Sequence, residues 1–263
     1  MNYFSIFGNP INHSKSPQMH NMAFKKFGYK GVYSRYLLND GSLFREKFLN
    51  FGLSGANITV PFKEDAFNQC DEVIGIAKKL EAVNTVTEKN GKLIGYNTDA
   101  PGFFEMIKSR DDIQNIAIVG AGGTAKAISI YLRDLGYNIC IINRSLNRKE
   151  YYIKNNIPFF TLDDINIFDF DLIINSTSAG LIDNLLPINI DLLKKISRNS
   201  KIFIDVIYGK QTPFLQFAKE NSIDYKDGFE MLLNQGVIAF DYFTNHQFDL
   251  KDIKRYMAYG LTL

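Results

Sequence analysis

Ile116-Ala117-Ile118-Val119-Gly120-Ala121-Gly122-Gly123-Thr124-Ala125 decides how the whole chain is read. The apolar run Ile116–Val119 enters a glycine turn, and a helix-like stretch from Ala125 to Leu135 leaves it. Strand, tight glycine turn and helix together read as a dinucleotide-binding unit, whereas glycines alone carry little weight. Without side chains the turn lets backbone approach a pyrophosphate, and the helix N-terminus offers it unpaired N–H groups. Roughly a hundred residues precede this unit, enough for a separate domain that holds a substrate.

The next strand, Tyr137–Ile142, ends in Asn143-Arg144-Ser145, with Arg148 following. Folds of this kind that bind NAD place Asp or Glu about 20 residues beyond the glycines, on the ribose 2′-hydroxyl. No acidic residue stands at this strand's tip. An Arg there, with a Ser and a second Arg nearby, pairs instead with a 2′-phosphate through charge-assisted bonds. Solvated loop charges are the plainer alternative, but one strand after the glycine turn NADP (NADPH) is the better reading.

At 263 residues the chain suffices for one large domain or two ordinary ones. Its hydrophobic share of 46% and charged share of 22% describe a globular protein. A formal charge of +2 is too small to argue for nucleic acid or an anionic membrane, and neither is expected as a partner. Cys70 and Cys140 give neither a disulfide framework nor a metal spacing, and His13, His20 and His246 form no zinc pattern. No metal is expected. The chain enters a short strand, Tyr3–Phe7, with no signal peptide, and no apolar run spans a bilayer. A cytoplasmic protein, monomer or homodimer, is expected.

Ahead of the glycine turn, strand and helix signals alternate. Ser16-Pro17 and Gly28 bracket a helix as N-cap, N1 proline and C-terminal glycine. Strands are expected at Val32–Leu37 and Ala56–Val60, with a helix between them closing near Gly52. Thr85–Thr87 and Lys92–Tyr96 flank Asn90-Gly91, a hairpin signal. A helix from Pro101 to Lys108 leads into the nucleotide unit. From Ile116 onward, apolar runs recur at crossover spacing: Ile116–Val119, Tyr137–Ile142, Ile157–Phe160, Asp171–Asn175, Ile202–Val206 and Ile223–Tyr225. That is the doubly wound parallel pattern. Helices Phe229–Phe243 and Leu250–Leu261 follow with no further strand, and such a tail is expected to pack back on the first domain. The expected α/β organisation is therefore a substrate domain over 1–100, rejoined by 229–263, and a Rossmann domain over 101–228.

Polar clusters interrupt the first domain. In Ser14-Lys15-Ser16-Pro17, Ser16 is explained as an N-cap while Ser14 has no structural reason. Asn57 and Thr59 share one face of a strand at period two. Pro61 halts that strand and starts a helix, which leaves Lys63 in a first turn where a cation is electrostatically unfavourable. A broken local rule without structural gain hints at function. Asn84 alone reads as a turn residue and Asp99 alone as a helix cap. Together with Asn57, Thr59 and Lys63 they crowd element ends, where sites are built.

In order and spacing these motifs resemble the shikimate dehydrogenase family: Gly8-Asn9-Pro10, Ser14-Lys15-Ser16-Pro17, Asn57 to Lys63, Ala82-Val83-Asn84-Thr85, Asn97-Thr98-Asp99 and Gly120 to Gly123. Asn143-Arg144-Ser145, Asn175 to Ser178, Asp205 to Tyr208, Thr212-Pro213, Asp227-Gly228 and Met231 to Gln235 extend the match over nearly the whole chain. The resemblance implies NADP-dependent reduction of 3-dehydroshikimate to shikimate, in aromatic amino-acid biosynthesis. It implies that Ser14, Ser16, Asn57, Thr59, Asn84, Asp99, Tyr208 and Gln235 hold the substrate and that Lys63 transfers the proton. It assigns Gly120, Ala121, Gly122, Gly123, Thr124, Asn143, Arg144, Ser145, Arg148, Val206, Ile207 and Gly228 to NADP. Ser176 and Gly236 stand where relatives often carry Ala, without consequence for the reaction.

As chemistry, hydride transfer is mainly positioning, and one proton must also move on or off the alcohol oxygen. The Lys63 ammonium suits donation to a developing alkoxide, with Asp99 orienting it. Ser14, Ser16 and Tyr208 hydroxyls suit a carboxylate; Asn57, Asn84 and Gln235 suit ring hydroxyls. Three rival readings fit the residues less well. A methylenetetrahydrofolate dehydrogenase would want aromatic stacking where this chain places Asn, Thr and Ser. A quinate/shikimate enzyme using NAD tends to carry an acid after the Asn-Arg pair, which Leu146 and Asn147 do not supply. A nucleotide sensor that has lost catalysis would have no need of both Lys63 and Asp99.

Overall fold

A computed structural model describes residues 1–167 and 169–262 in two compact units. The first comprises Met1–Gly102 and Leu233–Leu263. Its sheet joins β1 (Asn2–Gly8), β2 (Gly31–Leu37), β3 (Gly55–Ile58), β4 (Glu72–Val73), β5 (Thr85–Lys89) and β6 (Lys92–Tyr96), in the order β2-β1-β3-β5-β6-β4. β1 runs parallel to β2 and β3, while β5 runs antiparallel to β3 and β6. The Asn90-Gly91 hairpin forms as read, with both residues at positive φ (54° and 79°). The C-terminal helices Phe229–Phe243 and Leu250–Leu261 reach back to this unit. Phe240 packs on Phe24 and Phe243 on Phe4, with ring centroids 4.9 Å apart in each pair.

The second unit, Phe103–Leu232, holds β7 (Asn115–Val119), β8 (Asn138–Ile142), β9 (Phe159–Phe160), β10 (Leu172–Asn175), β11 (Ile202–Asp205) and β12 (Asp224–Lys226). All pair in parallel, in the order β12-β11-β10-β7-β8-β9. Two halves therefore grow outward from the neighbours β7 and β10, and ligands of such sheets bind at that switch point. Strands buried on both faces read as continuous apolar runs. Here Ala117, Cys140, Ile173 and Phe203 join one buried cluster with Leu193 and Phe214.

Three local expectations are corrected. The helix Ser16–Phe27 has Lys15 at its cap position, so Ser16 is its first residue and not its N-cap. The Ser14 hydroxyl instead accepts the Ser16 N–H at 3.3 Å, which exchanges the roles read for the two serines. The helix expected over Pro101–Lys108 spans Asp99–Phe104. Asp99 lies inside its first turn, since the Thr98 carbonyl already accepts the Gly102 N–H, and its carboxylate is left for other work. The third strand ends at Ile58, two residues before Val60. Among the described residues no helix is long and apolar enough to cross a membrane, and no cluster of His, Cys, Asp or Glu could hold a metal.

Candidate active site

Register builds the polar edge of the first unit. Asn57 pairs with Ile6 on one side and Thr85 on the other. The ladder continues past the strand ends, with Ile58 N–H donating to the Asn84 carbonyl (2.8 Å) and Asn84 N–H to that of Tyr96 (3.0 Å). Asn57 and Asn84 are therefore neighbours, only 5% and 3% exposed, and burial demands that their amides be satisfied. Asn57 Nδ2 donates to the Asn84 carbonyl (3.2 Å) and Thr85 Oγ1 (2.9 Å). Asn84 Oδ1 accepts from the Thr98 N–H at 2.8 Å.

Lys63 opens the helix Lys63–Gln69, whose cap residue Phe62 gives no side-chain bond to the exposed N–H groups. Its carbonyl is pinned by the Val83 N–H (2.9 Å). From the next segment, Asn97 donates to the Ala82 carbonyl (3.1 Å) and accepts the Asp99 N–H (3.2 Å). The stretch Ala82–Asn84 thus anchors both partners of the ion pair Lys63 Nζ–Asp99 Oδ2, which closes at 2.6 Å. The two side chains remain 24% and 15% exposed, so the pair is sheltered yet reachable.

Ser14 and Ser16 lie 3.3 Å apart through their hydroxyls, both buried. Arg35 clamps the Ser14 carbonyl with Nε and Nη2 (3.0 and 2.6 Å), fixing the loop that carries them. Thr59 is half-buried, and its N–H continues the ladder to Phe7. Gln235 is half-buried on the helix Phe229–Phe243. A Cβ on Gly102 would lie 2.7 Å from the Gln235 nitrogen, so only glycine lets that helix pass so close.

In the second unit Ile142, Val119, Asn175 and Asp205 stand in one row across β8, β7, β10 and β11. Their successors Asn143, Gly120, Ser176 and Val206 are consequently side by side at the carboxyl edge. A groove of about 640 Å³ opens there, lined by Gly120, Ala121, Gly122, Asn143, Arg144, Ser145 and Arg148, and facing them Thr177, Ser178 and Ala179. Gly123 and Thr124 begin the helix behind the turn. Val206, Ile207 and Gly228 are not among the groove's lining residues; Gly228 stacks its backbone on Val206.

The groove suits a dinucleotide. Gly120 adopts φ +104°, and a Cβ there would strike Ser176 Oγ at 2.7 Å. The helix Gly123–Asp134 has no side-chain cap, which leaves its first N–H groups for an anion. Arg148 Nη1 donates to the Ala121 carbonyl (3.1 Å) and steadies the turn, while exposed Arg144 lines the groove. Tyr208 is half-buried, and burial raises its phenol above the ordinary range.

Several participants carried no individual signal in the sequence. Tyr33, whose hydroxyl donates to Asn57 Oδ1 at 2.6 Å, sits inside an ordinary strand pattern. Thr98, Asn175, Asp205 and Thr212 lay within recognised motifs but had no role of their own until their bonds were placed.

Residues 6–86 match the family model described as the shikimate dehydrogenase substrate binding domain. The chain is 46% identical over 251 residues to the shikimate dehydrogenase (NADP(+)) of Helicobacter hepaticus, across 95% of this chain and 93% of that protein. A protein of the same name from Caldanaerobacter subterraneus is 35% identical over 263 residues, covering 94% and 92%. The fold matches the crystal structure of Thermus thermophilus shikimate 5-dehydrogenase in complex with NADP(H) and shikimate, with a TM-score of 0.84 and 29% identity, over 99% of this chain and 100% of that one. Identity at this level, sustained over almost the full length of both chains and joined to the glycine turn and the polar edge just described, places the chain in the shikimate dehydrogenase family.

Proposed function

We propose that the protein reduces 3-dehydroshikimate to shikimate with NADPH, the step named for its relatives. The observation that carries the mechanism is the 2.6 Å contact between Lys63 Nζ and Asp99 Oδ2, sheltered and held from one backbone stretch. The carboxylate aims the ammonium, and the ammonium passes a proton to the oxygen that becomes the alcohol. In the reverse direction the same amine takes it back. Ser14 and Ser16 bind the substrate carboxylate through hydroxyls, joined by Tyr208. Asn57, Thr59, Asn84 and Gln235 take its hydroxyls.

When bound, the reduced nicotinamide supplies hydride. Gly120 to Thr124 would cradle its pyrophosphate. Asn143, Arg144, Ser145 and Arg148 would hold the adenosine end with its 2′-phosphate, and Val206, Ile207 and Gly228 the nicotinamide end. That no acidic residue follows Asn143-Arg144 in Ser145 to Lys149 favours NADP over NAD, because an acid there would repel the 2′-phosphate. The test is an oxidation assay crossing shikimate and quinate with NADP and NAD. Shikimate with NADP is expected to give the highest kcat/KM, by about tenfold or more, the scale of one charge-assisted contact. No turnover with that combination would end the reading.

A further inference from the structure

The two buried asparagines of the first unit are not interchangeable readers of a hydroxyl, because backbone groups fix which way each amide faces. A carbonyl oxygen only accepts, so the Asn84 carbonyl must meet the NH₂ of Asn57 (3.2 Å), and the second N–H of that group goes to Thr85 Oγ1 (2.9 Å). Asn57 has then spent both donors. Its oxygen accepts one hydroxyl, from Tyr33 at 2.6 Å, and keeps one lone pair. Asn84 is the mirror case. The Thr98 N–H only donates, so it must meet Asn84 Oδ1 (2.8 Å), which also accepts from Thr85 Oγ1 (3.0 Å). Asn84 Nδ2 gives one N–H to Thr98 Oγ1 (3.1 Å) and keeps the other.

Tyr33 is held for this task from both ends. Its backbone N–H and carbonyl are each bonded at 2.8 Å to the side chain of Asn21, which substitutes for a neighbour on the edge strand β2. Its ring lies on the His20 imidazole, centroids 4.3 Å apart and planes 5° from parallel. Both ring nitrogens of His20 lack a partner among the described residues, so the imidazole serves as a flat wall. Tyr33 is only 2% exposed, so its hydroxyl depends on a protein partner.

We propose that Tyr33 is a positioning residue that fills one lone pair of the acceptor-only Asn57 and holds that oxygen in place, so that the site demands a hydroxyl hydrogen at Asn57 and an oxygen lone pair at Asn84. This rests on the reading that both asparagines meet the substrate. It assigns each a polarity, and it makes Tyr33 a determinant of substrate affinity without touching the substrate.

The test is Tyr33→Phe, which removes one oxygen and keeps the stack on His20, assayed alone and in an Asn57→Ala background. Alone it is expected to raise KM for shikimate about tenfold, the scale of one hydrogen bond, with KM for NADP unchanged. In the Asn57→Ala background it is expected to add nothing. A merely structural loss would move both KM values and would add in the double variant, and either result overturns the proposal. If Tyr33→Phe is silent while Asn57→Ala is damaging, the Tyr33 assignment falls and the substrate reading stands. If Asn57→Ala is itself silent, the placement of substrate on Asn57 falls with it. Should Tyr33→Phe fail to fold, the wild-type enzyme decides through inhibition by shikimates carrying fluorine in place of one ring hydroxyl, which removes a donor and keeps an acceptor. One fluoro isomer must bind as poorly as the matching deoxy compound while another binds better than its deoxy counterpart; equal losses at every position overturn the polarity.

Discussion

Asn175 and Asp205 stand opposite one another in register on β10 and β11, and their side chains join in a buried bond of 3.1 Å. The same carboxylate accepts the Thr212 hydroxyl (2.6 Å) and the Ile207 N–H (3.0 Å). Asn175 Oδ1 accepts the Thr177 N–H and hydroxyl at 3.0 and 2.7 Å. One network therefore ties the groove wall at Thr177 to the turn that carries Ile207 and Tyr208. Burial raises the Asp205 carboxyl above its usual range, against the lowering effect of Thr212, Ile207 and Asn175.

Asp205→Ala strands three buried donors at once. Each unpaired group costs about 1–3 kcal/mol, so a loss of about 3 kcal/mol or more in unfolding free energy is expected. Urea denaturation measures it. A variant within about 0.5 kcal/mol of wild type, the range of an ordinary surface change, would show that the network carries no stability.

Lys63→Ala is expected to lower kcat about a hundredfold or more, with KM for shikimate changed little, the pattern of a lost proton-transfer group. Asp99→Asn keeps a hydrogen-bond acceptor but removes the charge that orients the amine, and a smaller fall in kcat is expected. Steady-state rates with NADP decide; native turnover in Lys63→Ala would take the amine out of the chemistry.

Arg144 and Arg148 both line the groove but are tied differently, and their variants should separate. Arg144 is exposed, and its loss is expected to raise KM for NADPH about tenfold while leaving KM for NADH unmoved. Arg148 also holds the Ala121 carbonyl, so Arg148→Ala loosens the turn proposed for the pyrophosphate that both cofactors share. Weaker binding of both is expected there. Equal effects of Arg144→Ala on the two cofactors would mean that it does not read the 2′-phosphate.

Legibility followed the range of the interaction. The parallel sheet was readable because buried strands are apolar runs at crossover spacing, and the hairpin because Asn90-Gly91 meets a local φ requirement within its own turn. The Ser16 cap was misread because capping depends on the dihedral entered by the preceding residue, and Lys15 is already helical (φ −91°, ψ −5°). The meeting of Lys63 and Asp99 crosses 36 residues, and only the chemistry of an amine beside an acid suggested it. Tyr33 and Asp205 were out of reach as individuals. A strand tyrosine and a strand-end aspartate are ordinary until folding supplies their partners.

His20 should make this protein acid-sensitive in a definite window. The imidazole is 1% exposed, its nitrogens have no partner among the described residues, and burial lowers its pKa from 6.5 to about 3. Between those values the unfolded chain binds a proton that the folded chain refuses. Stability then rises with pH, and equivalently falls as pH drops from about 6.5 toward about 3, by up to about 1.4 kcal/mol per pH unit from this group alone. Carboxylates add their own acid loss, so the informative quantity is a difference. His20→Phe keeps a ring against Tyr33 and removes the titration. Urea unfolding of both proteins from neutral pH to about pH 4 is expected to give a shallower decline for the variant, with the curves diverging below about pH 6.5. Parallel curves would mean that the folded state admits the proton, and that the wall behind Tyr33 is wet.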